Sequence, residues 1–260
     1  MLGAIIGDVI GSVHEWAETK TKDFPLFVAE STFTDDAVLT VAIAEWILDG
    51  NDLTDVLQTY TMAYPGRGYG LMYGQWAANR HRKPYNSFGN GSAMRVSPVG
   101  FAFDTTEEVL AWSERSAAVT HNHPEGIRGA QAAALAVSLA RKTSDKAQIR
   151  TELESRFGYH LSQRLDEIRP TYEFNETCQA TVPQAIIAFL ESTGYEDAIR
   201  NAISLGGDAD TLACITGGIA EAYYGVPRDL SERVRTILDP QLVKVVDRFQ
   251  NQFGLGADLR

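Results

Sequence analysis

The stretch YEDAIRNAISLGGDADTLACITGGIAEAYYG, residues 195–225, reads as two helices meeting at a glycine joint. Ala198, Ile199, Ala202 and Ile203 recur at three- and four-residue spacing, so they share one helical face, and the glycine pair Gly206–Gly207 ends the run. A second helix is expected to start from Asp210 or Thr211 as cap and to stop at Gly225 and Pro227. Between the two, GGDADT places Asp208 and Asp210 two residues apart with Thr211 beside them. A turn accounts for the glycines and a cap for one aspartate, which leaves a second carboxylate and a threonine without a local task.

Working outward, the same periodicity recurs along the chain. DDAVLTVAIAEWILDG spaces Leu39, Ala42, Ile43, Trp46 and Ile47 as one face, with Gly50 and Asn51 as the stop. PEGIRGAQAAALAVSLARK is rich in alanine, opens with Pro124 in its first turn and ends in basic residues, as the helix dipole favours. VPQAIIAFLEST is read in the same way, with Pro183 in its first turn. No period-two alternation and no hairpin dipeptide between β-branched runs is seen, and neither is a linker, a low-complexity tract or a fixed repeat. The expected fold is all-α, one compact orthogonal helical bundle over residues 1–260. Residues 142 to 178 are the most polar part, with a helix expected around Asp145 to Arg156 and then a surface excursion or lid.

The N-terminal MLGAIIGDVIGSV sets Gly3, Gly7 and Gly11 four residues apart. The run is too short to span a bilayer, contains Asp8 and lacks a basic leader, so it reads as a buried helix whose small-residue stripe admits a close neighbour. With 34 acidic and 23 basic residues the formal charge is -11, which argues against nucleic acid and anionic membranes as partners. An anionic ligand would need local positive charge or backbone donors. Two cysteines, Cys178 and Cys214, without a Cys-x-x-Cys pattern, indicate neither a disulfide framework nor a thiolate zinc site and suit a reducing cytoplasm. A monomer is expected.

STFTDDAVLT, residues 31–40, repeats the acidic joint. By itself Thr-Asp-Asp before an apolar helix is also how a simple cap reads. Asp35 and Asp36 beside Thr34, brought together with Asp208, Asp210 and Thr211, would supply six oxygen-bearing side chains, a set suited to one or two hard cations such as Mg²⁺. Without a cation, the four carboxylates would repel one another. Two other acidic motifs fail on detail. The aspartyl-phosphate motif follows an apolar strand where this chain has Gly206 and Gly207, and an isoprenoid-synthase motif would need an acid at Leu39.

In combination, GAIIGDVIGSVHEW, STFTDDAVLT, GRGYG, SFGNGSAMRVSPVG, THNHPEGIRGAQAAALAV and GGDADTLACITGGIAEAYYG, ordered over most of residues 1 to 225, resemble the ADP-ribosylglycohydrolase family. These are all-α enzymes typified by dinitrogenase-reductase-activating glycohydrolase and the ADP-ribosyl-acceptor hydrolases. The resemblance implies two Mg²⁺, or in some members Mn²⁺, held by Thr34, Asp35, Asp36, Asp208, Asp210 and Thr211 at the base of an ADP-ribose cleft. It places Glu15 near the scissile bond, with Asp35 or Asp36 aligning the attacking water. It sets the loop Ser87, Phe88, Gly89, Asn90 and Gly91 beside diphosphate and ribose, and the family often has Gly where Ser92 stands. His121 matches the ribose-contacting histidine, His123 is expected to be structural or at the rim, and Tyr69 of GRGYG lies either near the adenine or distal ribose or in an ordinary surface turn. The implied activity is metal-dependent hydrolysis of ADP-ribosyl-arginine. Cleavage of O-acetyl-ADP-ribose or ADP-ribosyl-serine, or binding of ADP-ribose without catalysis, stand as alternatives.

Overall fold

A computed structural model describes residues 1–254. The stripe of glycines in the first helix, α1 (Leu2–Gly11), decides its packing, because each glycine lies against backbone. A Cβ on Gly7 would sit 2.0 Å from the carbonyl oxygen of Ala213, one on Gly3 2.5 Å from that of Gly217, and one on Gly11 2.4 Å from Cα of Asp210. No side chain fits such a gap, so α1 lies backbone to backbone on the helix carrying residues 209–224. That contact joins the two ends of the chain.

The first half continues with α2 (Asp35–Asp49), closed by Gly50 at φ 70° in the left-handed region, then α3 (Leu53–Ala63) and α4 (Leu71–Ala78). Two short turns, α5 (Gly91–Met94) and α6 (Ser97–Ala102), lead to α7 (Thr106–Ala118), whose start is locked by a capping box between Thr105 and Glu108. The alanine-rich α8 (Pro124–Lys142) begins with Pro124, as expected from the sequence. The polar region contains α9 (Lys146–Phe157) and α10 (Leu165–Ile168). The last third is α11 (Cys178–Leu190), α12 (Tyr195–Ile203), α13 (Ala209–Tyr224), α14 (Arg228–Ile237) and α15 (Pro240–Gln252). Among the described residues there is no strand, only an isolated antiparallel bridge between Gly89 and Thr177. The fold is all-helical and a single domain, and α13 is its axis: residues 209–220 are buried, packed among α1, α8, α11 and α12. No helix among the described residues is long and apolar enough to cross a membrane.

Two helix starts differ from the sequence reading. Pro183 lies inside α11, not in its first turn, because the helix begins at Cys178. The missing N–H at Pro183 leaves one ladder bond unmade. The helix persists because Cys178, Val182, Ala185, Ile186 and Phe189 are buried, and tertiary packing outweighs propensity here. Likewise α13 starts at Ala209 with Asp208 as the cap residue, so Asp210 and Thr211 ride in its first turn. Asp208 makes no capping bond with its side chain, which frees the carboxylate for other partners.

Candidate active site

Seating α1 on α13 brings Asp8 and Glu15 beside Asp208 and Asp210. Asp8 is fully buried and pins the start of α2: its Oδ2 accepts from the backbone N–H groups of Thr34 (3.0 Å) and Ala37 (3.1 Å), and its Oδ1 accepts from the Thr34 hydroxyl (2.6 Å). Thr34 Oγ1 in turn accepts from the Asp36 N–H at 3.2 Å, so Thr34 is a true cap whose own hydroxyl proton is spent on Asp8. Asp35 and Asp36 are thereby carried on the first turn of α2. Sequence reading used Asp8 only to argue against a membrane span. The signal for its role was a lone acid in an otherwise apolar, fully buried helix.

On the other side, Gly206 (φ 73°) and Gly207 (φ 69°) make the left-handed joint that redirects the chain from α12 to α13. Gly207 also admits the returning polar excursion, since a Cβ there would lie 3.0 Å from the Tyr172 ring and 3.1 Å from the Glu173 carbonyl. The excursion ends by building site wall: Phe174 and Glu176 line the cleft, and the Glu176 carbonyl accepts from the Asn90 N–H at 2.7 Å. Asn90 then donates its side-chain amide to Asp208 Oδ2 (2.6 Å) and to Thr181 (3.1 Å), tying the glycine loop to the acidic joint. Ser92, where the family often has Gly, lies inside α5 and donates to the Gly126 carbonyl at 2.7 Å.

The resulting cleft encloses about 300 Å³. Glu15, Thr34, Asp35, Asp36, Asp208, Asp210 and Thr211 all face it, as do Ser87, Asn90, Gly91 and His121. Three expected members are not on its wall. Phe88 is 46% exposed and rests its ring on His123 (centroids 5.3 Å apart), Gly89 is turned toward Thr177, and Tyr69 stacks on Tyr73 at 5.8 Å with its hydroxyl buried and unpartnered. His123 caps α8 by accepting from the Glu125 N–H at 3.1 Å. Wall residues that sequence reading missed are Tyr73, Tyr85, Met94, Arg95, Phe174 and Glu176. Their types, aromatic, charged or, at Met94, a thioether, within helical or loop sequence, carry no periodic signature of a cleft.

The acidic groups are close enough to act as one. Glu15, Asp208 and Asp210 each offer an oxygen within 4.8 Å of the others. Burial, reinforced by Asp8 and by Asp208, pushes Asp35 and Asp36 well above the ordinary carboxyl range, and burial with Asp208 and Asp36 does the same to Asp210. Glu15 is raised by burial, then by Asp208 and Glu176. Asp8, despite its hydrogen bonds, is raised to about 7 by burial. Among the described residues no lysine or arginine forms an ion pair with this cluster, and Oδ2 of Asp36 is buried without a partner. An all-oxygen, anionic donor set with an unused buried acceptor fits a hard divalent cation.

This electrostatic arrangement gives the metal-free protein an expected pH profile. Each raised carboxyl binds more proton folded than unfolded between its ordinary pKa and its raised one, so the stability these groups contribute is greatest below that window and falls as pH rises through it, up to about 7 for Asp8. After chelation the melting temperature is therefore expected to be higher near pH ~5 than near pH ~8, and Mg²⁺ or Mn²⁺ should restore several degrees at the higher pH. A scan of melting temperature against pH, with and without chelator, checks this; a flat chelated profile would refute it.

Fold and site together define an all-helical protein with an acidic, cation-suited cleft beside a glycine loop. The chain belongs to the ADP-ribosylglycohydrolase family, whose profile matches residues 1–257. It is similar to the ADP-ribosylhydrolase ARH3 of Xenopus tropicalis, 26% identical over 300 aligned positions covering 86% of each chain. The Danio rerio ARH3 is 28% identical over 302 positions, covering 87% of this chain and 82% of that one. The ADP-ribosylarginine hydrolase Tri1 of Pseudomonas putida is 24% identical, covering 87% of this chain and 70% of its own. A solved structure titled ADP-ribosylglycohydrolase-related protein complex superposes with a TM-score of 0.64 at 21% identity, over 98% of this chain and 94% of that one.

Proposed function

We propose that this protein hydrolyses the bond between the anomeric carbon of ADP-ribose and an acceptor, with the guanidino group of arginine as the preferred acceptor. The observation that carries the reading is the convergence, in one cleft, of acidic side chains from both ends of the chain with Ser87, Asn90, Gly91 and His121. Thr34, Asp35, Asp36, Asp208, Asp210 and Thr211 would hold two Mg²⁺, or Mn²⁺. When bound, the ions supply Lewis acidity and charge compensation at the ribose.

The protein's own groups do the rest. Ser87, Asn90, Gly91 and His121 grip the diphosphate and ribose, while Phe88 rests on His123, Gly89 pairs with Thr177 and Tyr69 stacks on Tyr73. Asp35 or Asp36 aligns a water opposite the acceptor. As the bond to the acceptor breaks, its electron pair leaves with the acceptor atom, the water oxygen bonds to the anomeric carbon, and the water's proton passes to the acceptor. Glu15, beside Asp208, is the group that positions the ribose or carries that proton. An oxocarbenium-like centre gains from the negative surroundings.

The acceptor side favours a cation. Glu15 and Glu176 stand on the same wall as Phe174, and Trp16, 77% exposed, stacks on Phe174 at 4.9 Å and 17°. Two carboxylates and aromatic faces suit a planar guanidinium better than an ester or a serine hydroxyl. The Pseudomonas relative, an ADP-ribosylarginine hydrolase by name, supports this choice. The deciding experiment is a panel of ADP-ribosylated arginine, ADP-ribosylated serine and O-acetyl-ADP-ribose, each with and without EDTA, scored by released ADP-ribose. Arginine is expected to be turned over fastest and EDTA to stop it; no release from any member would defeat the hydrolase reading, and a faster ester or serine rate would defeat the acceptor assignment.

A further inference from the structure

From the cleft wall inward runs a buried polar chain, Arg95–Thr120–His121, whose internal bonds none of the chemistry above requires. Arg95, fully buried, donates from Nη2 to the Ser116 carbonyl (2.7 Å) and to Thr120 Oγ1 (2.9 Å). Thr120 Oγ1, also fully buried, lies 2.7 Å from His121 Nδ1. We propose that Arg95 and Thr120 are positioning residues that hold His121 as the neutral tautomer protonated on Nε2, so that the ring presents a hydrogen-bond donor to the cleft.

The direction of the chain follows from proton counting. Arginine only donates, so Thr120 Oγ1 is the acceptor in that contact. A hydroxyl has one proton, and for Thr120 the only acceptor within hydrogen-bond reach among the described residues is Nδ1 of His121. With Nδ1 accepting, a neutral imidazole must carry its proton on Nε2. The reverse tautomer would leave the buried threonine proton with no acceptor. The imidazolium would do the same and would add a second positive charge beside Arg95, whose Nε and Nη1 already lack partners. Burial and the Arg95 charge both hold the His121 pKa well below its ordinary value.

The Nε2 edge of the ring is aimed at the loop. A Cβ on Gly91 would approach Nε2 to 3.2 Å and one on Gly89 to 3.7 Å, and Nε2 makes no hydrogen bond within the described protein. Glycine at these positions keeps the donor uncovered. A donor there selects an acceptor oxygen on the ligand, a phosphate or ribose oxygen; this last step rests on the function proposed above.

The test begins with the wild-type protein labelled with ¹⁵N-histidine, observed by long-range ¹H–¹⁵N correlation near neutral pH, His121 being assigned by the signal lost in His121→Gln. Nδ1 is expected in the unprotonated range and Nε2 in the protonated range. Thr120→Val should remove that bias and weaken ADP-ribose binding, measured by calorimetry, about tenfold, while Thr120→Ser restores both. The Mg²⁺-induced rise in melting temperature should be the same in all three, separating this role from damage to the acidic site. A wild-type His121 protonated on Nδ1, or on both nitrogens, overturns the proposal whatever the ligand. A Thr120→Val protein with the wild-type tautomer and affinity overturns it too. Failure of the wild type to bind ADP-ribose would instead defeat the functional reading and leave the tautomer result standing.

Discussion

Asp208→Asn and Asp210→Asn are each expected to lower kcat/KM by roughly 10³-fold or more, the equivalent of about 4 kcal/mol of transition-state stabilisation, with the helical circular-dichroism spectrum unchanged. The substitutions keep side-chain shape and remove one negative charge each. Asp210 sits in the first turn of α13, within 4.8 Å of Glu15 and Asp208, and its carboxyl is raised by burial and by those neighbours. Removing its charge relieves repulsion in the metal-free protein, so the chelated Asp210→Asn variant should melt at or above the wild-type temperature. Lost turnover combined with unimpaired or improved apo stability distinguishes a functional charge from a structural one. Activity within tenfold of wild type for both variants would show that the acidic joint does not serve the reaction.

Asp8→Ala should have the largest effect on stability. The carboxylate satisfies two backbone N–H groups at the start of α2 and the Thr34 hydroxyl, all in a buried setting. Alanine would leave those donors unpaired, at a cost of about 3 kcal/mol or more, which for a chain of this length lowers the melting temperature by roughly 6–10 °C. Because the same bonds hold Asp35 and Asp36 in place, turnover should fall as well. The measurement is best made with Mg²⁺ present, since in the chelated protein the lost repulsion offsets part of the lost bonding. Asp8→Asn retains one acceptor oxygen and should fall between wild type and alanine. A loss below about 1 kcal/mol in denaturant titration would mean that α2 is held by other contacts.

Much of the helical plan was legible from spacing alone. The limits of α2 and α8 agree with the apolar period and its stops, because Gly50 and Pro124 have backbone requirements that act locally. The two Thr/Asp clusters could likewise be singled out, since one cap per helix leaves surplus carboxylates. Local rules failed where long-range packing outweighed them. Pro183 sits inside α11 because the buried face of that helix extends back to Cys178, and α13 starts one residue before Asp210 because Asp208 is held by Asn90. Tyr69, Phe88 and Gly89 share a loop with cleft residues yet face elsewhere, since a loop's direction residue by residue depends on what it rests against.

The order of residue types therefore determined by itself that this chain is helical, where most helices stop, and which acids are in excess of capping. It also determined the stripe of glycines in α1, although not its partner. Only the tertiary structure decided that α1 lies on α13, that Asp8 is the pin of α2, and that Glu15, Thr34, Asp35 and Asp36 share one cleft with Asp208, Asp210 and Thr211, walled by the returning segment at Phe174 and Glu176. The physical reason is that periodicity and small side chains specify which face is buried and how close a neighbour can come. Which neighbour fills that face is settled by the sum of contacts over the whole fold.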